Sequence, residues 1–234
     1  MKIVIVGGGF GGLNLARSLK RAPVDLLLID KTNHHLFQPL LYEVATAALS
    51  PGQIATPIRE ILRTQDNARV IMGDVVSIDK QHKQVILGNQ ERISYDLLVL
   101  ATGARHSYFG NDQWETFAPG LKTIADALHI RQHILSSFEK AERLADITND
   151  SLDKYLNFVI IGGGPTGVEM AGAIAEIAHT KPFLKTSVVS NQKNRKFISS
   201  KRCPTSCKSI QKNSLCKQKK TWKTWVSPSS STKK

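Results

Sequence analysis

Cysteine, acid and glycine are each missing from one part of this 234-residue chain, and where they are missing matters more than their totals. The three cysteines, Cys203, Cys207 and Cys216, all lie late in the chain, so residues 1–179 contain no thiol. That excludes a disulfide-stapled miniprotein and suits a reducing compartment. No apolar run approaches the roughly 18–20 residues of a membrane-spanning helix, and Ile3 to Val6 is too short for a secretory leader. The chain is therefore expected to begin in the cytosol. Acids and glycines stop at residue 179: the 55 residues from Thr180 hold 15 Lys or Arg and no Asp, Glu or Gly. The formal charge of +13 belongs to this appendage, because residues 1–179 set 17 Lys or Arg against 19 acids. A basic chain usually points to nucleic acid or anionic membrane, but the body is near neutral and no nucleic-acid partner is expected of it. At 41% apolar residues the chain can build a sizeable core, which excludes wholesale disorder.

What is present starts with a β-branched run, Ile3 to Val6, followed at once by Gly7, Gly8, Gly9, Phe10, Gly11 and Gly12. Leu13, Ala16 and Leu19 then recur at helical spacing, and Pro23 predicts that the helix stops at Ala22. Val24 to Ile29 reads as a second buried strand, closed by Asp30. Strand, glycine turn, helix, strand and terminal acid are what a dinucleotide needs. Gly7 permits the turn, Gly9 lets a pyrophosphate approach the backbone, and Gly12 lets helix and strand pack closely, while the helix amides meet the phosphates. Asp30 can accept hydrogen bonds from ribose hydroxyls, and its charge repels a 2′-phosphate, which argues against NADP there. A lone glycine pattern is weak; the complete thirty-residue order is specific. The order recurs at Phe158 to Ile161, Gly162, Gly163, Gly164, Pro165, Thr166 and Gly167, before an Ala-rich helix over Val168 to Ala178. Two such turns imply two dinucleotides with electron transfer between them.

Tyr95 to Leu100 reads as a strand ending in Ala101, Thr102, Gly103 and Ala104. With the two turns, this order resembles the flavoproteins that carry an FAD domain and an NADH domain in one chain. The likeness narrows at His34 to Thr46, His-His-Leu-Phe-Gln-Pro-Leu-Leu-Tyr-Glu-Val-Ala-Thr, and at Ser50 to Leu62 with its Ile54-Ala55-Thr56-Pro57-Ile58-Arg59. Both stretches are similar to type II NADH dehydrogenase, the single-subunit, non-electrogenic NADH:quinone oxidoreductase, and the likeness covers residues 1–179. It implies an α/β, Rossmann-like FAD/NAD(P)-binding fold with two dinucleotide-binding domains, the second truncated. The expected layout is an FAD domain over 1–110, a helical connection over 111–155, the start of an NADH domain over 156–179 and a disordered basic tail over 180–234.

Carried over by position, the resemblance implies that Gly7, Gly9, Gly12, Asp30 and Lys31 hold the FAD phosphates and adenosine ribose. Val75 would meet the adenine through its backbone, and Thr46, Ala101, Thr102 and Gly103 would approach the flavin. Gly162, Gly164 and Gly167 would take the NADH pyrophosphate, with Glu169 as the catalytic candidate where nicotinamide, flavin and quinone converge. Quinone is then the electron acceptor, and the intact enzyme is expected on the cytoplasmic face of the inner membrane as a peripheral protein, with a homodimer left open. The 234-residue chain itself is expected in the cytoplasm. With no thiol in the body, disulfide reductases and sulfide-oxidising quinone reductases are disfavoured, and a flavin reductase with a ferredoxin or ferric acceptor remains the alternative.

Several of these residues also have plainer readings. Glu169 in the first turn of a helix is favoured by the helix dipole alone, worth about 0.3–1 kcal/mol. His34 and His35 lack a third ligand at metal spacing, so they read as surface or packing residues and no metal site is expected. Leu36 to Val44 reads as core. Ile124, Leu128, Ile134, Leu135 and Phe138 read as the packing face of an amphipathic helix.

The tail lacks Ala, Asp, Glu, Gly, His, Met and Tyr, so residues with codons beginning in G are reduced to Val188, Val189 and Val226. Such a bias suggests a frame under no selection. Read one nucleotide earlier, Lys185-Thr186-Ser187-Val188-Val189 permits Lys-Asp-Phe-Arg, the string the resemblance leads one to expect there. Lys217 to Val226 likewise permits Ala-Lys-Lys-Asp-Leu-Glu-Asp-Leu-Gly, an amphipathic helix closed by glycine. The sequence therefore predicts a single-nucleotide slip near His179. The rival is a true basic extension, with Cys203, Cys207 and Cys216 as metal ligands or Lys219, Lys220, Trp222 and Trp225 as a nucleic-acid platform. Those cysteine spacings are irregular for zinc.

Overall fold

The computed structural model describes residues 1–145, 153–179 and 197–200. In chain order the elements are β1 (Lys2–Val6), α1 (Phe10–Ser18), β2 (Asp25–Asp30), β3 (His34–Leu36), α2 (Leu41–Ala45), α3 (Pro51–Ile54), β4 (Ala55–Pro57) and α4 (Ile58–Leu62). Then come β5 (Ala68–Met72), β6 (Val75–Asp79), β7 (Gln84–Leu87), β8 (Arg92–Ser94), β9 (Leu97–Leu100), α5 (Ile124–Ala145), α6 (Asp153–Leu156), β10 (Phe158–Ile161), α7 (Pro165–His179) and β11 (Phe197–Ser200). The chain divides into two units, residues 1–128 and 129–234.

The first unit is organised by a four-stranded parallel sheet in the order β5-β2-β1-β9. Its central strands are apolar on both faces, as a sheet covered on both sides requires. Side chains alternate along β1 with period two. Ile3 and Ile5 pack with Leu13 and Ala16 of α1, Ile58 and Leu62 of α4, and Val70. Val4 and Val6 face the other way, onto Val85, Leu87 and Ile93 of the antiparallel β6-β7-β8 sheet. This sandwiching holds the carboxyl ends of β1, β2 and β9, and with them Gly7, Asp30 and Ala101, at one end of the sheet. β9 is an edge strand, and its Leu97 and Leu100 are 49% and 59% exposed.

α1 ends at Ser18, short of the Ala22 that Pro23 alone predicts. The reason lies far along the chain. The Asn67 amide donates to the carbonyls of both Leu19 and Ala22 at 3.0 Å, and the buried Gln65 donates to Ala16 O at 2.7 Å. Of these carbonyls, that of Ala16 is the one a continued helix would have bonded to Lys20 N, and Gln65 takes it instead. A short antiparallel ribbon, β3 with β4, pairs His35 with Thr56 and leads into α4.

The second unit contains β10 and α7, in the places that the repeated glycine pattern predicts, with β11 parallel to β10. β11 lies in the appendage, where Phe-Ile is a pair with strand propensity. The rest of the tail, including the three cysteines and both tryptophans, lies outside the described residues. On α5 the buried positions are Ala127, Ile134, Phe138 and Ala141. Leu128, expected on that face, is instead 42% exposed, being about 100° around the helix from Ala127.

Candidate functional site

The first glycine turn joins β1 to α1. Gly7 has φ +104°, a conformation that side chains rarely adopt, and a Cβ there would strike the Ala101 carbonyl. Gly12 is bare for another reason. A Cβ on it would run into the Gly7 carbonyl oxygen and lie 3.1 Å from the carbonyl carbon and 3.2 Å from Ile5 Cγ2. Gly9 differs from both: a Cβ on it would meet nothing within 4 Å. The outer glycines of the pattern thus serve backbone packing, and the middle one faces open space. Gly9 caps α1 without a side-chain bond, and its carbonyl accepts from Leu13 N at 3.0 Å. The first turn of α1 bears no acid, and Arg17 sits in its last turn, an arrangement that complements the helix dipole and leaves its positive end open to an anion.

The second turn repeats this geometry. Gly162 has φ +114°, a Cβ on Gly167 would strike the Gly162 carbonyl oxygen, and Val168 N donates to Gly164 O at 3.1 Å. A Cβ on Gly164 would again meet nothing within 4 Å, and neither would one on Gly162, where the first turn has the Ala101 carbonyl against Gly7. Even the strand contact is matched, Ile160 Cγ2 standing to Gly167 as Ile5 Cγ2 stands to Gly12.

Asp30 does more than close β2. Its Oδ2 accepts from Gly8 N at 2.7 Å, and its Oδ1 accepts from Thr32 N at 2.7 Å, Thr32 Oγ1 at 2.8 Å and Asn33 N at 3.0 Å. Burial pushes this carboxyl up, but the four donors outweigh it and hold the group below the ordinary aspartate value. The charge is thereby fixed beside the glycine turn. Asp30 to Asn33 is an Asx turn, a signal present in the sequence and unread there.

Ala101 N donates to Val6 O at 2.8 Å, which sets Ala101 and Thr102 against Gly7, and Gly103 follows at φ +75°. Val75 and Thr102 share the lining of a cavity of about 370 Å³ with Val6, Val76, Ser77, Ile78 and Leu100. The predicted residues Gly7, Gly9, Gly12, Asp30, Ala101, Thr102, Gly103 and Val75 are therefore gathered at the ends of β1, β2 and β9. Lys31 follows Asp30 and is exposed. Thr46 is buried at the end of α2, with its hydroxyl donating to Tyr42 O at 2.9 Å. Glu169 is the fifth residue of α7, exposed and beyond the first turn, so the dipole argument made for it does not apply. Leu41 and Val44 are core, whereas Phe37 is 42% exposed.

His35, read from sequence as a surface or packing residue, reaches the turn itself, with Nδ1 3.2 Å from Gly8 O. Its sequence signal was slight, because the contact depends on pairing of the β3–β4 ribbon.

A parallel sheet with a glycine turn at the mouth of its first helix, and a second such turn further along, define a dinucleotide-binding α/β protein. Comparison with known proteins makes this specific: residues 1–208 match the pyridine nucleotide-disulphide oxidoreductase family, and the chain belongs to that family. It is 54% identical over 183 residues to the type II NADH:quinone oxidoreductase Ndh of Mycobacterium tuberculosis, a match covering 76% of this chain and 39% of that protein. It is 31% identical to the external alternative NAD(P)H-ubiquinone oxidoreductase B2 of Arabidopsis thaliana mitochondria, over 74% of this chain and 31% of that one. Among solved structures, NDH2 from Plasmodium falciparum in complex with NADH matches with a TM-score of 0.71 and 28% identity, covering 81% of this chain and 40% of that one. The chain thus spans about two fifths of the length of the mycobacterial relative. It keeps the family's fold with no cysteine in residues 1–179.

Proposed function

We propose that the first glycine turn binds the pyrophosphate of FAD and the second that of NADH, in a protein built for NADH:quinone oxidoreduction. The duplicated turn carries this reading, with both middle glycines open, Gly7 and Gly162 at positive φ, and Gly12 and Gly167 each against the carbonyl of the first glycine. An open Cβ position over a helix entrance fits a phosphate, because the amides of Phe10, Gly11 and Gly12 have no preceding carbonyls within the helix to accept them. Asp30 retains lone pairs on Oδ2 for a ribose hydroxyl, with Lys31 beside it, and the Val75 backbone stands at the cavity edge for the adenine. Thr46, Ala101, Thr102 and Gly103 are assigned to the flavin side. When bound, FAD would relay a hydride equivalent from C4 of NADH as two electrons to quinone. The chain's own part is chiefly positioning, which can supply roughly 7–11 kcal/mol of such a barrier. Glu169, exposed on α7, is assigned to the meeting point of nicotinamide and acceptor.

The names of the relatives support the quinone, and the family resemblance supports peripheral attachment to the inner membrane. Among the described residues no helix is long and apolar enough to cross a membrane. The domain layout given above and an out-of-frame origin of residues 180–234 belong to the same proposal. Among the described residues no strand pairs with the outer edge of β9, whose Leu97 and Leu100 are exposed, which supports an incomplete sheet, and we expect little or no NADH:quinone activity from the 234-residue chain. The reading is tested by titrating the 234-residue chain with FAD while assaying NADH oxidation with quinone, and by assaying a frame-restored gene product beside it. Flavin binding with activity only in the restored protein is expected. Appreciable turnover by the printed chain would overturn the fragment assignment, and absence of flavin from both would overturn the cofactor assignment.

A further inference from the structure

We infer that His35 is a positioning residue for the first glycine turn, locking the Gly8–Gly9 peptide in the orientation that a phosphate requires. The inference rests on the reading of that turn as the FAD cradle. The two peptides that flank Gly8 are held by different partners. Asp30 Oδ2 takes the Gly8 N–H of the Gly7–Gly8 peptide at 2.7 Å, and the His35 ring approaches the carbonyl of the Gly8–Gly9 peptide through Nδ1 at 3.2 Å. A carbonyl oxygen can only accept, so Nδ1 carries the proton and donates. The peptide is planar and trans, so a Gly8 carbonyl turned toward His35 directs the Gly9 N–H to the opposite side. This matters here because two adjacent glycines have little steric preference to prevent the peptide from flipping.

The position of His35 is itself fixed by long-range structure. His35 pairs with Thr56 across the β3–β4 ribbon, Phe37 N donates to Ile54 O at 2.8 Å, and the next residue after β4, Ile58, would meet a Cβ on Gly8. Phe10, the first residue of α1, packs edge-on against the His35 ring with centroids 4.8 Å apart and against Phe37 at 5.6 Å. The ribbon, the turn and the head of α1 therefore meet through one imidazole. The assignment also sorts the amides: Gly7 N is bonded to Ile29 O, Gly8 N to Asp30 and Leu13 N to Gly9 O, leaving those from Gly9 to Gly12 for the ligand.

Two substitutions separate the donor from the ring. His35→Asn keeps an N–H near the position of Nδ1 and loses the ring; His35→Phe keeps the ring packing and loses the donor. Removing one such bond lowers the population of the competent turn, and apparent affinity falls with it. FAD affinity, read by quenching of flavin fluorescence on the full chain, is expected to fall roughly 3- to 10-fold in His35→Phe, the effect of one ordinary hydrogen bond. It should stay near the parent value in His35→Asn. The Gly8 carbonyl carbon shift, followed by NMR without FAD, should move to the value of a carbonyl without that bond in His35→Phe alone. Equal affinity in parent and His35→Phe, equal loss in both variants, or an unchanged Gly8 carbonyl shift would overturn the inference. A parent chain that binds no FAD would instead overturn the cofactor reading, while the carbonyl shift still decides the role of His35.

Discussion

Replacing Gly12 by Ala should damage the fold, and replacing Gly9 by Ala should damage only ligand binding. At Gly12 the obstacle to a Cβ is the Gly7 carbonyl, with Ile5 Cγ2 3.2 Å away, and backbone cannot move aside by changing rotamer. Overpacking costs about 1–3 kcal/mol, and a backbone obstacle belongs at the upper end. Alanine regains up to about 1 kcal/mol over glycine inside a helix, leaving a net loss of about 2 kcal/mol. For a unit of this size that lowers Tm by roughly 6–10 °C. At Gly9 the new Cβ meets nothing within 4 Å and φ is −71°, so alanine fits without strain. Its weaker helix capping and its lower unfolded-state entropy offset each other to within about 0.5 kcal/mol. Thermal unfolding followed by circular dichroism, beside FAD titration, reads both quantities. Gly12→Ala as stable as the parent, or Gly9→Ala binding FAD as well as the parent, would refute the division of labour among the glycines.

Acid should loosen the first turn. The folded pKa of Asp30 is depressed, so its contribution is complete above the ordinary value of 3.8 and is lost as pH falls through the lowered folded value. FAD release on acidification should therefore show a step below 3.8 that Asp30→Asn removes, and persistence of the step in that variant would contradict the assignment. Asn67→Ala removes one of the two donors to each of the Leu19 and Ala22 carbonyls, which keep their backbone partners Ala22 N and Val24 N, and should cost about 0.5–1.5 kcal/mol, read as a lower urea midpoint; an unchanged midpoint would show that those bonds hold nothing. Sequencing the gene tests the tail. The slip account predicts an intact reading of the family pattern one nucleotide away, and DNA that permits no such reading would contradict it.

Three strands of the sheet, β1, β2 and β9, were legible in the sequence as continuous β-branched and Leu runs followed by a breaker; β5 was not read, its short apolar run being interrupted by Arg69. The turns were legible because glycine is the residue least replaceable there: Gly7 and Gly162 at positive φ, Gly12 and Gly167 against a carbonyl. What escaped was whatever depends on partners distant in the chain. The early end of α1 goes with Gln65, 49 residues beyond the Ala16 carbonyl that it takes. The contact of His35 with Gly8 spans 27 residues and needs the β3–β4 ribbon to form first. Asp30 was read for the ligand it could hold, and its four bonds to its own chain went unforeseen, although Thr32 and Asn33 were in plain view. The Leu128 error was one of phase: the apolar stripe was drawn a residue too wide for a helix whose buried positions run from Ala127 through Ile134 to Ala141.

The central claim is that the open middle glycine of the first turn receives a dinucleotide phosphate. Equilibrium titration of the full chain with FAD, for the parent, Gly9→Val and Cys207→Ser, tests it most directly. Saturable binding by the parent and by Cys207→Ser, with none by Gly9→Val, is the predicted result; equal binding by all three would contradict it.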